Sequence, residues 1–425
     1  MTMKINNIIG LFQRTIIAFF GFPIIILLLI NSLFSSCQKI EYNTVENPAY
    51  IRVFNNMTYT LTLQNKDEPQ PFFCMFIDPE FDETGKPISG LVVGDHLDKR
   101  NLYAAPNAAH AGLSTSKFNP EYPGKELVPT APILNGFDLT NWAQIPAGKR
   151  RFLFMARPIS EIPFSQLPDE QQRIVFLDTT IDLSEREVYT LHILQKDFKT
   201  KKNGLYVRQE NFHKQPFSDT ISYVNFYNLS AKGFVEADEQ FKTPVPYTIQ
   251  PFQYGIVDTV NVFMTIIEPK VDNTGKTVHT RLPNFSHQIA GTIYNTVNDP
   301  KVSKYFGFPV IQNIKNKIFN NTWQYIQFCG LPIDPKTSSI IPEVPEHSYL
   351  SHPYKSYLGH YAFIKCDNNQ YKPSENDNSF FPGLTAQVHS GMNNPKSMSL
   401  VTSIEIVNSH VFLMSIQRKF PQPIY

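Results

Sequence analysis

Along this chain, apolar residues come in short runs that prolines, glycines and polar clusters interrupt, and the runs repeat. Tyr50-Ile51-Arg52-Val53-Phe54-Asn55 reads as a strand closed by an asparagine, and so does Tyr223-Val224-Asn225-Phe226-Tyr227-Asn228. A stronger, ungapped match follows each. Phe73 to Lys86 is F-C-M-F-I-D-P-E-F-D-E-T-G-K and Phe263 to Lys276 is F-M-T-I-I-E-P-K-V-D-N-T-G-K, with seven of 14 positions identical. A third pair sets Ile181-Asp182-Leu183 and Val188–Ile193 against Ile404-Glu405-Ile406 and Val411–Ile416. The three pairs keep their order, which predicts two copies of one plan, over 48–213 and 217–425. The second copy departs most over 283–380, which reads as inserted loops.

Each copy reads as β. Gly85 and Gly275 sit in Asp-x-Thr-Gly-Lys, where a hairpin loop needs positive φ. Pro79 and Pro269 are expected just after strands. Ile145-Pro146-Ala147-Gly148-Lys149 reads as a turn into the strand Arg151–Ala156, with Phe381-Pro382-Gly383 as its counterpart before Leu384–Val388. Asn203-Gly204 is a hairpin turn signal. Ile311, Ile314, Ile318, Trp323 and Ile326 recur at helical spacing, and a short helix is expected over Glu170–Arg173. The 33 prolines and 13% aromatic content favour short strands and structured loops. The expected fold is all-β: two tandem antiparallel β-sandwich (immunoglobulin-like) modules with long loops and at most one or two helices.

The N-terminus follows a different pattern. Lys4 and Arg14 are the only charges before Lys39, and Ile16 to Ile30 is an apolar run of about 15 residues, short of the roughly 20 a spanning helix needs. It exits through Leu33-Phe34-Ser35-Ser36-Cys37. Small residues before a cysteine are what a lipoprotein signal peptidase cuts, once the thiol is alkylated. This segment resembles the relaxed lipobox of Bacteroidota-type outer-membrane lipoproteins, although the consensus would place Leu where Phe34 stands. The other reading is an uncleaved N-terminal anchor helix with an incidental cysteine. The resemblance implies a signal peptide over 1–36, lipid attachment at Cys37, a polar tether over 37–47, and a place in the cell envelope, on the outer membrane and its exposed surface. Tyr50–Asn55, Ile145–Lys149 and Ile181–Ile193 resemble the β-sandwich domain-of-unknown-function modules of such lipoproteins, which bring no catalytic residues with them.

Charge and cysteine content narrow the chemistry. Removing Lys4 and Arg14 from a formal charge of +1 leaves −1, which gives no basic excess for nucleic acid. Besides Cys37 there are three cysteines. Cys74 sits in an apolar run and reads as a core residue, whereas Cys329 and Cys366 are candidates for a disulfide in an oxidising compartment. No C-x-x-C spacing suggests a metal, and no cofactor is expected. Gly275-Lys276-Thr277 lacks the upstream glycine of a phosphate loop. Asp78, Asp82, Glu268 and Asp272 lie beside turns and read as turn and cap residues. Asp95-His96 has no G-x-S-x-G serine to serve. The run Lys196, Lys199, Lys201, Lys202 reads as a solvated strand end or a contact for anionic headgroups or polysaccharide.

The richest cluster is a candidate binding loop of His347, Tyr349, His352, Tyr354, Tyr357, His360 and Tyr361. Tyrosines give flat amphipathic surface suited to sugars or proteins, and the histidine spacings match no standard metal motif. The expected function is therefore a lipid-anchored envelope protein with a non-enzymatic binding or structural role. Its partners would be the membrane, through the lipid, and a surface protein or glycan. The alternatives are a polysaccharide-acting envelope enzyme and an accessory lipoprotein of an outer-membrane transporter.

Overall fold

The computed structural model describes residues 45–104, 118–238, 242, 252, 254–296, 299–310, 323–331, 333–334, 336, 359–367, 381–389 and 395–418. The first ten strands are β1 (Pro48–Asn55), β2 (Gln70–Phe81), β3 (Pro87–Leu97), β4 (Tyr103–Ala104), β5 (Glu121–Tyr122), β6 (Ala143–Pro146), β7 (Gly148–Arg157), β8 (Val175–Leu183), β9 (Val188–Asp197) and β10 (Lys202–Glu210). The next six are β11 (Ile221–Asn228), β12 (Thr259–Val271), β13 (Thr277–Arg281), β14 (Gln288–Thr296), β15 (Asp299–Lys301) and β16 (Phe306–Pro309). The last six are β17 (Trp323–Gly330), β18 (Tyr361–Asp367), β19 (Phe381–Pro382), β20 (Thr385–His389), β21 (Pro395–Val407) and β22 (His410–Gln417).

These strands build four sheets. Sheet A runs β10-β9-β1-β5 with β6 also on β1, and sheet B runs β3-β2-β7-β8. Sheet C runs β16-β11-β21-β22-β4 with β20 on β21, and sheet E runs β15-β14-β12-β17-β18-β19 with β13 on β12. The protein is all-β in sandwich-like layers, as its short apolar runs predict. The sheets are not purely antiparallel, because β1 pairs parallel with β9 and β11 parallel with β21.

Period-two alternation explains the layers. On β1, Ile51 and Val53 enter one core with Phe73, Met75 and Phe154 of sheet B, while Tyr50 and Phe54 enter another with Val401, Met414 and Ile416 of sheet C. On β11, Val224 and Phe226 pack with Val262 and Phe328 of sheet E. The layers therefore run B, A, C, E, and residues 45–425 form one compact unit. The short β4 from the first half of the chain pairs with β22 of the second.

The pairing register repeats between the halves. Tyr50 lies opposite Val188 and Asn55 opposite Ile193; Tyr223 lies opposite Val401 and Asn228 opposite Ile406. Val188–Ile193 therefore corresponds to Val401–Ile406 in β21. The sequence match to Val411–Ile416 was one strand too far, because neighbouring β-branched runs look alike. Ile77 lies opposite Phe152 and Ile267 opposite Trp323, so the counterpart of β7 is β17, not the segment after Phe381-Pro382-Gly383. Trp323 and Ile326, expected on a helix, are in β17, where Ile326 and Phe328 enter the core and Tyr325 packs on the opposite face; 311–322 lie outside the described residues. The expected turn at Asn203-Gly204 falls inside β10, and the chain reverses at 198–201, with Lys201 at φ 57°. The short helix is a 3-10 turn, Asp169–Gln172.

The repeated side chains have repeated roles. Asp82 Oδ1 accepts hydrogen bonds from the Thr84 amide (2.9 Å), the Thr84 hydroxyl (2.7 Å) and the Lys86 amide (2.9 Å). Asp272 Oδ1 does the same for Thr274 (2.8 and 2.6 Å) and Lys276 (3.0 Å). Gly85 and Gly275 both take φ 80°. The closing asparagines match too: Asn55 Oδ1 accepts from the Met57 amide at 3.0 Å and Asn228 Oδ1 from the Ser230 amide at 2.9 Å. Pro79 and Pro269 lie within β2 and β12, beyond Ile77 and Ile267, where among the described residues each strand has one neighbour and a missing N–H costs little.

Gly85→Ala and Gly275→Ala should each cost about 1–2 kcal/mol from left-handed backbone alone, since no atom lies within 4 Å of either added Cβ. Gly124→Ala should cost more, because its Cβ would fall 2.2 Å from the Glu121 carbonyl. Urea denaturation of the three variants checks this; equal losses at all three positions would contradict it.

Candidate functional site

The structure places few of the sequence-predicted residues at a site. Cys37, His347, Tyr349, His352, Tyr354 and Tyr357 lie outside the described residues. His360 is exposed at the turn into β18, where its carbonyl accepts the Gly330 amide at 2.6 Å. Tyr361 opens β18 half-buried, its hydroxyl 3.4 Å from Gln327 Nε2 and its ring 6.1 Å from Phe363. Both help to hold β18 on β17.

No disulfide joins Cys329 and Cys366. Cys329 lies opposite Tyr361 and Cys366 opposite Gln324, so they are five ladder steps apart and on opposite faces. That geometry rules out bridging without moving the strands. Cys74 is fully buried, and burial pushes its thiol up. Asp78 accepts from Arg150 Nη1 and the Arg151 amide, both at 2.9 Å; Glu268 pairs with Lys270 at 3.1 Å. Asp95 pairs with the buried Arg157 and accepts the Phe164 amide at 2.7 Å, with His96 Nε2 3.6 Å away. Among the described residues, no group of three or more His, Cys, Asp or Glu side chains could hold a metal ion.

A layer of buried ion pairs lies between sheets A and C. Arg52 of β1 grips Glu121 of β5 through Nε (3.1 Å) and Nη2 (2.9 and 2.8 Å). Arg100 pairs with Glu405 of β21. Arg208 of β10 lies 3.1 Å from Glu210 and donates to Ser403 Oγ at 3.1 Å, while Thr190 donates to Glu210 at 2.7 Å. Two guanidinium groups approach the phenyl ring of Phe54, Arg100 at 3.8 Å and Arg52 at 4.8 Å from its centre, and His192 stacks with it at 5.7 Å. Three arginines balance three glutamates in a layer closed to solvent.

His192 is the neutral member. Its Nδ1 lies 3.1 Å from Asn56 Oδ1, its Nε2 3.4 Å from the Tyr227 hydroxyl, and Glu405 is 3.7 Å away. Burial pushes its pKa down to about 3; Glu405 opposes this and Arg100, Arg208 and Arg52 reinforce it. Burial also pushes the Glu405 carboxyl up, but the Arg100 guanidinium outweighs it and holds the group below its usual range. By register, His192 and Glu405 occupy equivalent positions in the two halves, opposite Phe54 and Tyr227.

At one end of this layer a cleft of about 170 Å³ opens between the halves, lined by Asn56, Thr58, Gln195, Phe198, Lys201 and Ser409 among others. The 198–201 turn forms one wall and the β21–β22 turn the other. Phe198 and Phe234 meet edge to face at 5.2 Å, and the Lys201 ammonium lies 3.9 Å above Phe198. His410 lies in the other wall; burial, reinforced by Lys99, pushes its pKa down to about 4.

Sequence reading missed the central layer. Its signal was present as polar residues inside apolar strands, Arg52 in Ile-Arg-Val, His192 in Leu-His-Ile and Glu405 in Ile-Glu-Ile. Such alternation ordinarily marks a solvent face. No protein-family model and no curated protein matches the chain. What its geometry shows is an all-β protein of several sheets.

Glu405→Gln should cost about 3–5 kcal/mol by leaving Arg100 buried without its counter-charge, and Arg100→Met with Glu405→Met should recover most of the loss. The unfolded chain protonates His192 near pH 6.5 while the folded chain resists until about 3. Stability at this residue is therefore lost as pH falls through that window, by up to about 1.4 kcal/mol per unit. His192→Gln should flatten the acid limb of a urea-midpoint profile; an unchanged limb would refute the assignment.

Proposed function

We propose that this chain is a lipid-anchored cell-envelope protein that holds a protein partner or glycan without catalysing a reaction on it. The observation that carries the reading is the export pattern ending at Cys37: a cationic start, a short apolar run and a small-residue exit. A multiply acylated cysteine anchors stably, because two or more chains at about 0.8 kcal/mol per buried methylene exceed what a single chain achieves. The β body supports the reading in a second way. Its buried charges are used on one another, in a layer that fixes sheet A against sheet C, which suits a rigid platform. Binding would then fall to its loops and clefts.

The test is fractionation of cells making the wild-type chain or Cys37→Ala, with metabolic labelling by a radioactive fatty acid. The wild type should carry label and partition into detergent. Cys37→Ala should carry none and either leave the membrane or retain its signal; a labelled variant, or an unlabelled wild type, would remove the lipoprotein reading. In the binding loop, Ala at Tyr349, Tyr354 and Tyr357 together should weaken partner capture with the thermal midpoint nearly unchanged.

A further inference from the structure

We propose that the cleft between the 198–201 and β21–β22 turns binds the acidic end of a saccharide, a sugar ring bearing a carboxylate. This deepens the binding reading above and rests on it only in taking the chain for a ligand-binding protein. At about 170 Å³ the cleft is smaller than the roughly 300–1,000 Å³ of drug-sized sites, so it admits one ring-sized group.

The lining selects the chemistry. Asn56, Gln195 and Asn408 bring side-chain amides, Thr58 and Ser409 bring hydroxyls, and among the described residues no carboxylate lines the cleft. Amides and hydroxyls both donate and accept, as a polyhydroxylated ring requires. Asn56 is 4% exposed; its Oδ1 faces His192, and among the described residues its Nδ2 has no hydrogen-bond partner. Asn408 Oδ1 is taken by the Ala231 amide at 2.9 Å, and Ser409 Oγ lies 3.3 Å from His410 Nδ1. Phe198 lines the cleft with the Lys201 ammonium over its ring and the buried Phe234 packed edge to face against it, so the aromatic pair braces the turn that carries Lys201.

Among the described lining residues the one formal charge is positive. Lys201 lines the cleft itself. Lys99 acts on His410 from the far wall, Lys202 acts on Lys196, and the Lys232 carbonyl accepts the Phe198 amide at 2.9 Å. Asp197 is the acid of the turn; it accepts the Thr200 amide at 2.8 Å within the turn and does not line the cleft. Of the sequence run Lys196, Lys199, Lys201 and Lys202, Lys201 is the one that lines the cleft, while the Lys196 stem lies against Gly204.

Isothermal titration calorimetry on the full chain in detergent micelles, with trigalacturonate, maltotriose and inorganic sulfate as probes, tests the proposal. Trigalacturonate should bind, maltotriose about tenfold more weakly or not at all, and sulfate not. Lys201→Glu should weaken trigalacturonate binding about tenfold, the scale of one surface charge contact turned repulsive, without moving the thermal midpoint. Thr58→Trp, which fills the mouth, should abolish binding and decides the matter if Lys201→Glu fails to fold. Silence with trigalacturonate, wild-type binding by both variants, or sulfate binding as strong as trigalacturonate would overturn the proposal. The anchor is scored separately by Cys37 fractionation, so either reading can fail alone.

Discussion

Two buried guanidinium groups meet at the ring of Phe54, and the middle of this protein depends on that arrangement. Arg52 and Arg100 approach the ring from sheet A and from the loop after β3, and each carries its own glutamate, Glu121 or Glu405. A buried arginine without a carboxylate would be ruinous, and a carboxylate without an arginine equally so. The pairs therefore fix where β1, β5 and β21 stand relative to one another. Hydrophobic packing alone tolerates sliding between sheets, whereas two directed ion pairs on one aromatic ring do not.

That constraint also accounts for how the two copies of one strand plan have diverged. The features that each half needs for its own folding are kept: the Asp82 and Asp272 turns, the Asn55 and Asn228 closures, and the parallel pairing of β1 with β9 and β11 with β21. The features that face the other half have become complementary instead. His192 and Glu405 hold one position in the plan yet meet across the A–C layer, and Phe54 and Tyr227 flank them. An interface between unlike faces needs this asymmetry, because two copies of Glu405 would repel and two of His192 would leave Arg100 without its partner.

A platform fixed in this way leaves recognition to its edges. The polar cleft lies where two hairpin turns meet, backed by Asn56, which also contacts His192. The side chains that line it come from four separate stretches of chain, around Asn56, Gln195, Phe234 and Asn408, and no local motif unites them.

Most strands and the Asp-x-Thr-Gly-Lys turns are legible in the sequence, because these depend on residues a few positions apart: alternation, a short acceptor side chain, a glycine at positive φ. It also predicted Asp82 and Asp272 as turn residues, and the structure shows them so. It misread Trp323 and Ile326 as helical and Val411–Ile416 as the partner of Val188–Ile193, because short apolar runs look alike whichever strand they join. Only the tertiary structure decided that Arg52, His192 and Glu405 are buried and not solvated, that Cys329 and Cys366 face opposite sides of a sheet, and that a cleft forms between two turns. The reason is the same in each case. Alternation says which residues share a face, but what covers that face is set by segments far away in the chain, up to 305 residues for Arg100 and Glu405.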